Sequence, residues 1–119
     1  MSALSPAAAS LVKLMAELPR GPKRDGAFAL WLTVRVAEDL LLVPPLPERA
    51  VRRRVAALEE RLSALVISAP LRRALTAALA QLATPGPEQA SLVLQQLAAP
   101  ARDVLGRQVG DALSVAARR

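Results

Sequence analysis

The chain of 119 residues contains no histidine, cysteine, tyrosine or asparagine. Without histidine and cysteine, it lacks a side chain that exchanges protons near neutral pH, an imidazole or thiolate metal ligand and a thiol nucleophile. Carboxylates and serines remain, but no GxSxG motif, glycine-rich phosphate loop or acidic pattern with metal-binding spacing occurs. We therefore predict that the protein is not an enzyme and that it uses no metal or other cofactor.

Aromatic residues and isoleucine are also scarce, although eleven valines are present. Phe28 and Trp31 are the only aromatic residues, and Ile67 is the only isoleucine. A sheet core is hard to build without such residues. Alanine, leucine, arginine, glutamate and glutamine, which all favour helices, make up 72 of the 119 residues. The composition therefore predicts an all-α protein.

Prolines divide the chain into segments with helical spacing of their apolar residues, and the loops between them are short. Short loops favour antiparallel neighbours, so we predict a compact bundle of five or six short antiparallel helices in a single domain, residues 1–119. Asp25 is predicted to cap the second helix, and Pro100 to begin the sixth. The predicted helices cover residues 5–18, 25–42, 47–67, 68–82, 87–98 and 100–119.

No segment has the pattern of a signal peptide or a membrane span. The N-terminus carries no basic residues ahead of its apolar stretch. The most hydrophobic stretch, residues 26–43, includes Arg35, Glu38 and Asp39, which would be costly in hydrocarbon. The absence of cysteine also rules out a disulfide framework. We expect a cytoplasmic protein with no transmembrane segment.

The second helix is apolar on nearly all sides between Ala27 and Val34. Such a helix lies either at the centre of its own bundle or against another chain. Tryptophan is enriched at binding hot spots, and a bundle of this size has little interior in which to surround a helix completely. Phe28 and Trp31 are therefore the candidate anchors for a partner, and the central position within the bundle is the alternative.

The densest charge lies in the third helix, where Arg52, Arg53 and Arg54 follow Arg49 by one turn. Arg49 and Arg53 repel each other at a spacing of four residues, so local helix electrostatics do not explain the cluster. A solvated face, an acidic protein partner and nucleic-acid phosphate remain as alternatives. The formal charge of +6 comes mainly from fourteen arginines, a preference over lysine that is typical of GC-rich bacterial genes.

Gly106 and Gly110 lie one helical turn apart in the predicted sixth helix. A glycine inside a helix costs about 1 kcal/mol relative to alanine, so two on one face suggest a packing reason. Two reasons are open: close approach of another helix of the same chain, or self-association of this helix with a second copy.

Together these patterns predict a helical interaction or adaptor module, forming a homodimer or other homo-oligomer, that binds a protein partner through apolar helix surface and arginine charge. An acidic partner would suit that charge. The alternative is a basic protein that binds nucleic-acid phosphates nonspecifically. It is less well supported, because the chain has little with which to stack on bases or recognise their edges.

Overall fold

Six α-helices make up the fold of this protein in a computed structural model that describes residues 6–40, 47–83 and 87–117. These described residues contain no β-strand, so the predicted all-α bundle is confirmed. The helices are α1 (Pro6–Glu17), α2 (Pro22–Asp39), α3 (Glu48–Ser63), α4 (Ala69–Leu82), α5 (Pro87–Leu105) and α6 (Arg107–Ala117). None of the helices within these ranges is both long and apolar enough to cross a bilayer.

The second helix, α2, lies at the centre of the bundle and contacts α1, α3, α4 and α5. Small and branched apolar residues cover most of its circumference, which lets four neighbours approach it. Its only buried polar side chain is Thr33, whose hydroxyl donates to the Ala29 carbonyl at 2.9 Å. The hydroxyl is therefore satisfied within the helix. The buried residues of α2 are Gly26, Ala27, Ala29, Leu30, Leu32, Thr33, Val34 and Ala37.

One contiguous apolar core draws side chains from all six helices. The apolar faces of α3 and α4 follow the spacing of three and four residues that the sequence predicts, and both face inward. On α3 the buried residues are Val51, Val55, Leu58 and Leu62, and on α4 they are Leu71, Leu75, Ala78 and Leu82.

The start of α2 differs from the prediction. The helix begins at Pro22, preceded by Gly21, and Asp25 lies in its first turn rather than at its cap. Gly21 adopts φ +155°, a value that side chains rarely allow, and proline at the first helical position needs no hydrogen-bond acceptor for its missing N–H. Glycine and proline together therefore begin the helix three residues before the predicted aspartate.

The end of α3 also differs, because this helix stops at Ser63 rather than near Ile67. The segment that follows Ser63 is held by a contact from the next helix. The Arg72 guanidinium, from the first turn of α4, donates to the Leu65 carbonyl at 2.5 Å. This tertiary contact fixes the short connection between α3 and α4.

The prediction that the fifth helix ends near residue 98 and the sixth begins at Pro100 is wrong. Pro100 does not begin a helix but lies inside α5, which continues to Leu105. An internal proline costs about 3 kcal/mol in an isolated helix. Here α5 continues through the proline while Ala98, two residues before it, and Ala101, directly after it, are buried in the core. The chain instead turns at Gly106, with φ +116°.

After Gly106, α6 folds back along the last turns of α5. The Arg102 guanidinium pairs with the Asp111 carboxylate at 3.0 Å across the two helices. Gly110 is buried in the same contact: a Cβ atom added there would lie 2.7 Å from the Arg102 Cβ and 2.9 Å from the Ala98 carbonyl oxygen. The absence of a side chain at Gly110 therefore sets how closely these two helices approach.

Replacing Gly26 by alanine is expected to raise the free energy of unfolding slightly, by no more than about 1 kcal/mol. Alanine is more stable than glycine inside a helix by about 1 kcal/mol. The added methyl group would meet only the end of the Leu71 side chain, at 2.9 Å from Cδ2. Denaturation by urea measures the change, and a loss well above 1 kcal/mol would show that Leu71 has no room to move.

A candidate protein-binding surface on α2 and α3

The two aromatic side chains lie on the one face of α2 that its neighbours leave partly open. Phe28 and Trp31 are half-buried, and they pack against the core from outside rather than within it. Their rings are stacked, with centroids 6.1 Å apart and planes 17° from parallel. Residues three apart are neighbours on a helix surface, which is why the two rings meet.

A guanidinium group covers each ring. The Arg35 Cζ lies 5.7 Å from the centroid of the Trp31 ring, and the Arg61 Cζ lies 5.7 Å from that of Phe28. Both distances are within the roughly 6 Å over which a cation is attracted to an aromatic face. We call these four residues, Phe28, Trp31, Arg35 and Arg61, the aromatic–arginine surface.

Two helices build this surface. Phe28, Trp31 and Arg35 share one face of α2 because they are spaced by three and four residues. Arg61 comes from α3, which runs antiparallel to α2: Arg54 pairs with Asp39 near the end of α2, while Arg61 lies over Phe28 near its start. The antiparallel packing therefore places one edge of α3 alongside the aromatic face.

Trp31 is held by packing rather than by a hydrogen bond. Its Nε1 is buried and has no hydrogen-bond partner. A buried donor without an acceptor costs about 1 to 3 kcal/mol, so contacts of the ring must offset that cost. The stack with Phe28 and the cation over its face are two such contacts.

The arginine cluster predicted on the third helix is divided by the structure. Arg54 points toward α2, where it pairs with Asp39, and Arg52 pairs with Glu48 along its own helix. Arg49 and Arg53 are exposed, and neither forms an ion pair with another residue of the described ranges. The cluster thus contributes one arginine to the α2–α3 junction and presents the others outward.

The two glycines singled out in the sequence do not form a shared stripe on one helix. Gly106 is an exposed turn residue outside α6, and Gly110 is buried against α5. The close approach that they suggested is therefore made within the chain, and the face that carries Gly110 is already occupied.

Sequence reasoning missed both arginines that cover the rings. Arg35 was detectable, since it follows Trp31 by four residues and must lie on the same helix face. Arg61 carried no such signal, because its contact with Phe28 joins residues 33 positions apart and exists only through the packing of α3 on α2.

No family model, curated protein or solved structure matches this chain. In the described part of the chain, no group of three or more acidic side chains is placed to hold a metal ion.

Proposed function

We propose that this protein is a non-enzymatic interaction module that binds a protein partner through the aromatic–arginine surface. One observation carries the proposal: the only two aromatic side chains of the chain are partly exposed on the central helix, stacked on each other and covered by guanidinium groups. Because both rings keep some exposed surface, a partner can reach them. Aromatic residues and arginine are also the types that dominate binding hot spots.

The charges around this surface favour an acidic partner. Arg35 and Arg61 lie on the surface itself, and Arg49, Arg52 and Arg53 are exposed on the outward side of the same α3 helix. Complementary charge accelerates the encounter of two proteins more than it strengthens the final complex. In this arrangement the rings supply most of the contact area, and the arginines of α3 steer the approach.

Site-specific cross-linking in cells tests the proposal. A photo-activatable phenylalanine analogue replaces Phe28 in one variant and Val66, an exposed apolar residue between α3 and α4, in the control. We expect a discrete protein product from position 28 that is absent from position 66. The captured protein is then purified, and Phe28→Ala is expected to weaken its binding to the full chain by about tenfold or more.

The matched control for that binding measurement is Val66→Ala, which removes an apolar side chain of 69% exposure outside the surface. This substitution is expected to weaken binding of the captured partner by less than about twofold, since scattered exposed apolar residues contribute little to binding. Equal loss in the two variants, or the same product from both cross-linking positions, would contradict the proposal.

Self-association is a separate part of the proposal. Because Gly110 is covered by α5, a dimer would have to use another face than the predicted glycine stripe. Light scattering at micromolar concentration tests self-association. A measured mass of one chain would contradict it but would not bear on the partner-binding surface.

A second candidate function is nonspecific binding of nucleic-acid phosphates, favoured by the exposed Arg49, Arg52 and Arg53. Retention on DNA should then fall steeply between low and moderate salt, because each phosphate contact releases counterions. Substitution of Arg52, Arg53 and Arg54 by glutamate should abolish it. Such behaviour would favour this function over the protein-binding module.

A further inference from the structure

A cleft opens beside Phe28, where the chain turns from α1 into α2. Its volume is about 430 Å³, and its lining residues are Met15, Arg20, Gly21, Arg24, Asp25 and Phe28. Ligand sites commonly have volumes of roughly 300 to 1,000 Å³. Because Phe28 lines the cleft and also carries Arg61 over its ring, the cleft and the aromatic–arginine surface are continuous.

Apolar and basic groups share the walls of this cleft. Met15 and Phe28 provide an apolar side, since both pack on the core from outside. Arg20 and Arg24 provide two guanidinium groups, and neither is paired with an acidic side chain within the described ranges. A ligand that fits must therefore combine an apolar group with negative charge.

The charge of the cleft is not explained by the stability of α2. Arg24 lies in the first turn, together with Lys23, and basic residues near the start of a helix interact unfavourably with its dipole. Asp25 is the only acid in that turn. The walls of the cleft thus hold two guanidinium groups and one carboxylate, and Arg61 lies over the adjoining Phe28 ring.

A second copy of this chain does not suit the cleft. In a symmetric dimer the same patch meets itself, so the guanidinium groups of one copy would face those of the other. Like charges held together in this way oppose association. The charge therefore favours a different, acidic protein.

We propose that the cleft binds an acidic amphipathic segment of a partner protein. An apolar side chain of that segment enters between Met15 and Phe28, and carboxylates on either side of it pair with Arg24 and Arg61. Arginine suits this role because its planar guanidinium can donate two parallel hydrogen bonds to one carboxylate. This inference rests on the proposed function and specifies the chemistry of the partner.

Trp31 provides the measurement, since it is the only tryptophan and the chain has no tyrosine. The full chain is titrated with three synthetic peptides: one of glutamate and leucine in a helical repeat, one with lysine in place of glutamate, and one of glutamate alone. We expect a saturable change in Trp31 fluorescence with the first peptide. The other two should bind at least about tenfold more weakly, because each lacks one of the two required features.

Two charge reversals locate the binding. Arg24→Glu is expected to weaken binding of the glutamate–leucine peptide by about tenfold or more, and Arg61→Glu should act in the same direction. Arg73→Glu is the matched control with the same change in net charge. Arg73 is exposed on α4. This helix packs on α2 at Gly26, which lies on the side of α2 opposite Phe28. Circular dichroism confirms that each variant is folded.

The results distinguish a failure of the cleft proposal from a failure of the proposed function of the aromatic–arginine surface. Equal weakening by Arg24→Glu and Arg73→Glu, or no saturable response to the glutamate–leucine peptide, overturns the cleft as the site of an acidic segment. The proposed function would survive either result if Phe28→Ala still weakened binding of the cross-linked partner. Tighter binding of short duplex DNA than of the peptide, lost in Arg24→Glu, would assign the cleft to phosphate and also overturn the inference.

Discussion

Leu30→Ala is expected to lower the free energy of unfolding by about 2 to 5 kcal/mol. Leu30 lies at the centre of α2 with no exposed surface, next to Trp31 in the sequence but on the inward side of the helix. Truncation removes buried methyl groups and leaves a cavity that four surrounding helices cannot easily close. Small domains have a total stability of only about 5 to 15 kcal/mol, so the variant should melt far earlier in urea.

Leu92→Ala is the matched control for this substitution. Leu92 lies on α5 with 38% of its surface exposed, so the same chemical change removes much less buried area. We expect a loss of less than about 1 kcal/mol. Similar losses in the two variants would mean that α2 is not the central helix of the bundle.

Gly110→Ala is expected to lower the free energy of unfolding by up to about 2 kcal/mol, the opposite sign from Gly26→Ala. Alanine gains about 1 kcal/mol of helix propensity at either position. At Gly110, however, the new methyl group would lie 2.7 Å from the Arg102 Cβ and 2.9 Å from the Ala98 carbonyl oxygen. These atoms belong to or adjoin the α5 backbone, so α6 must shift, and overpacking of this kind costs about 1 to 3 kcal/mol.

Urea denaturation of the two alanine variants side by side measures this difference. The Gly26 variant is the matched control, because its only close contact is the movable end of a leucine side chain. An increase in stability for Gly110→Ala would show that α6 has room to move and that close helix approach does not explain this glycine.

Helices were predictable from the sequence where local signals agreed. The start of α3 after Pro47 and of α4 after Ser68, and the buried faces of both helices, follow from proline positions and apolar spacing. Pro100 shows where local signals fail. Proline normally ends a helix, but α5 continues through Pro100, and the nearby Ala98 and Ala101 pack in the core.

The candidate surface was half predictable. Phe28 and Trp31 stand out because they are the only aromatic residues, and their spacing places them on one helix face. Their partial exposure could not be predicted, since it depends on which sides of α2 the other helices cover. The division of the arginine cluster could not be predicted either, because the pairing of Arg54 with Asp39 requires α3 to lie antiparallel to α2.

Composition and apolar spacing are enough to establish that this chain is helical and that it has no histidine or thiol chemistry, because they depend only on which residues are present and on their near neighbours. Helix packing, in contrast, is needed to explain why α6 begins after Gly106 and why Arg61 covers Phe28. It also places the cleft at the α1–α2 turn next to the aromatic pair. These features join residues distant in the chain, and only the packing of helices around α2 brings such residues together.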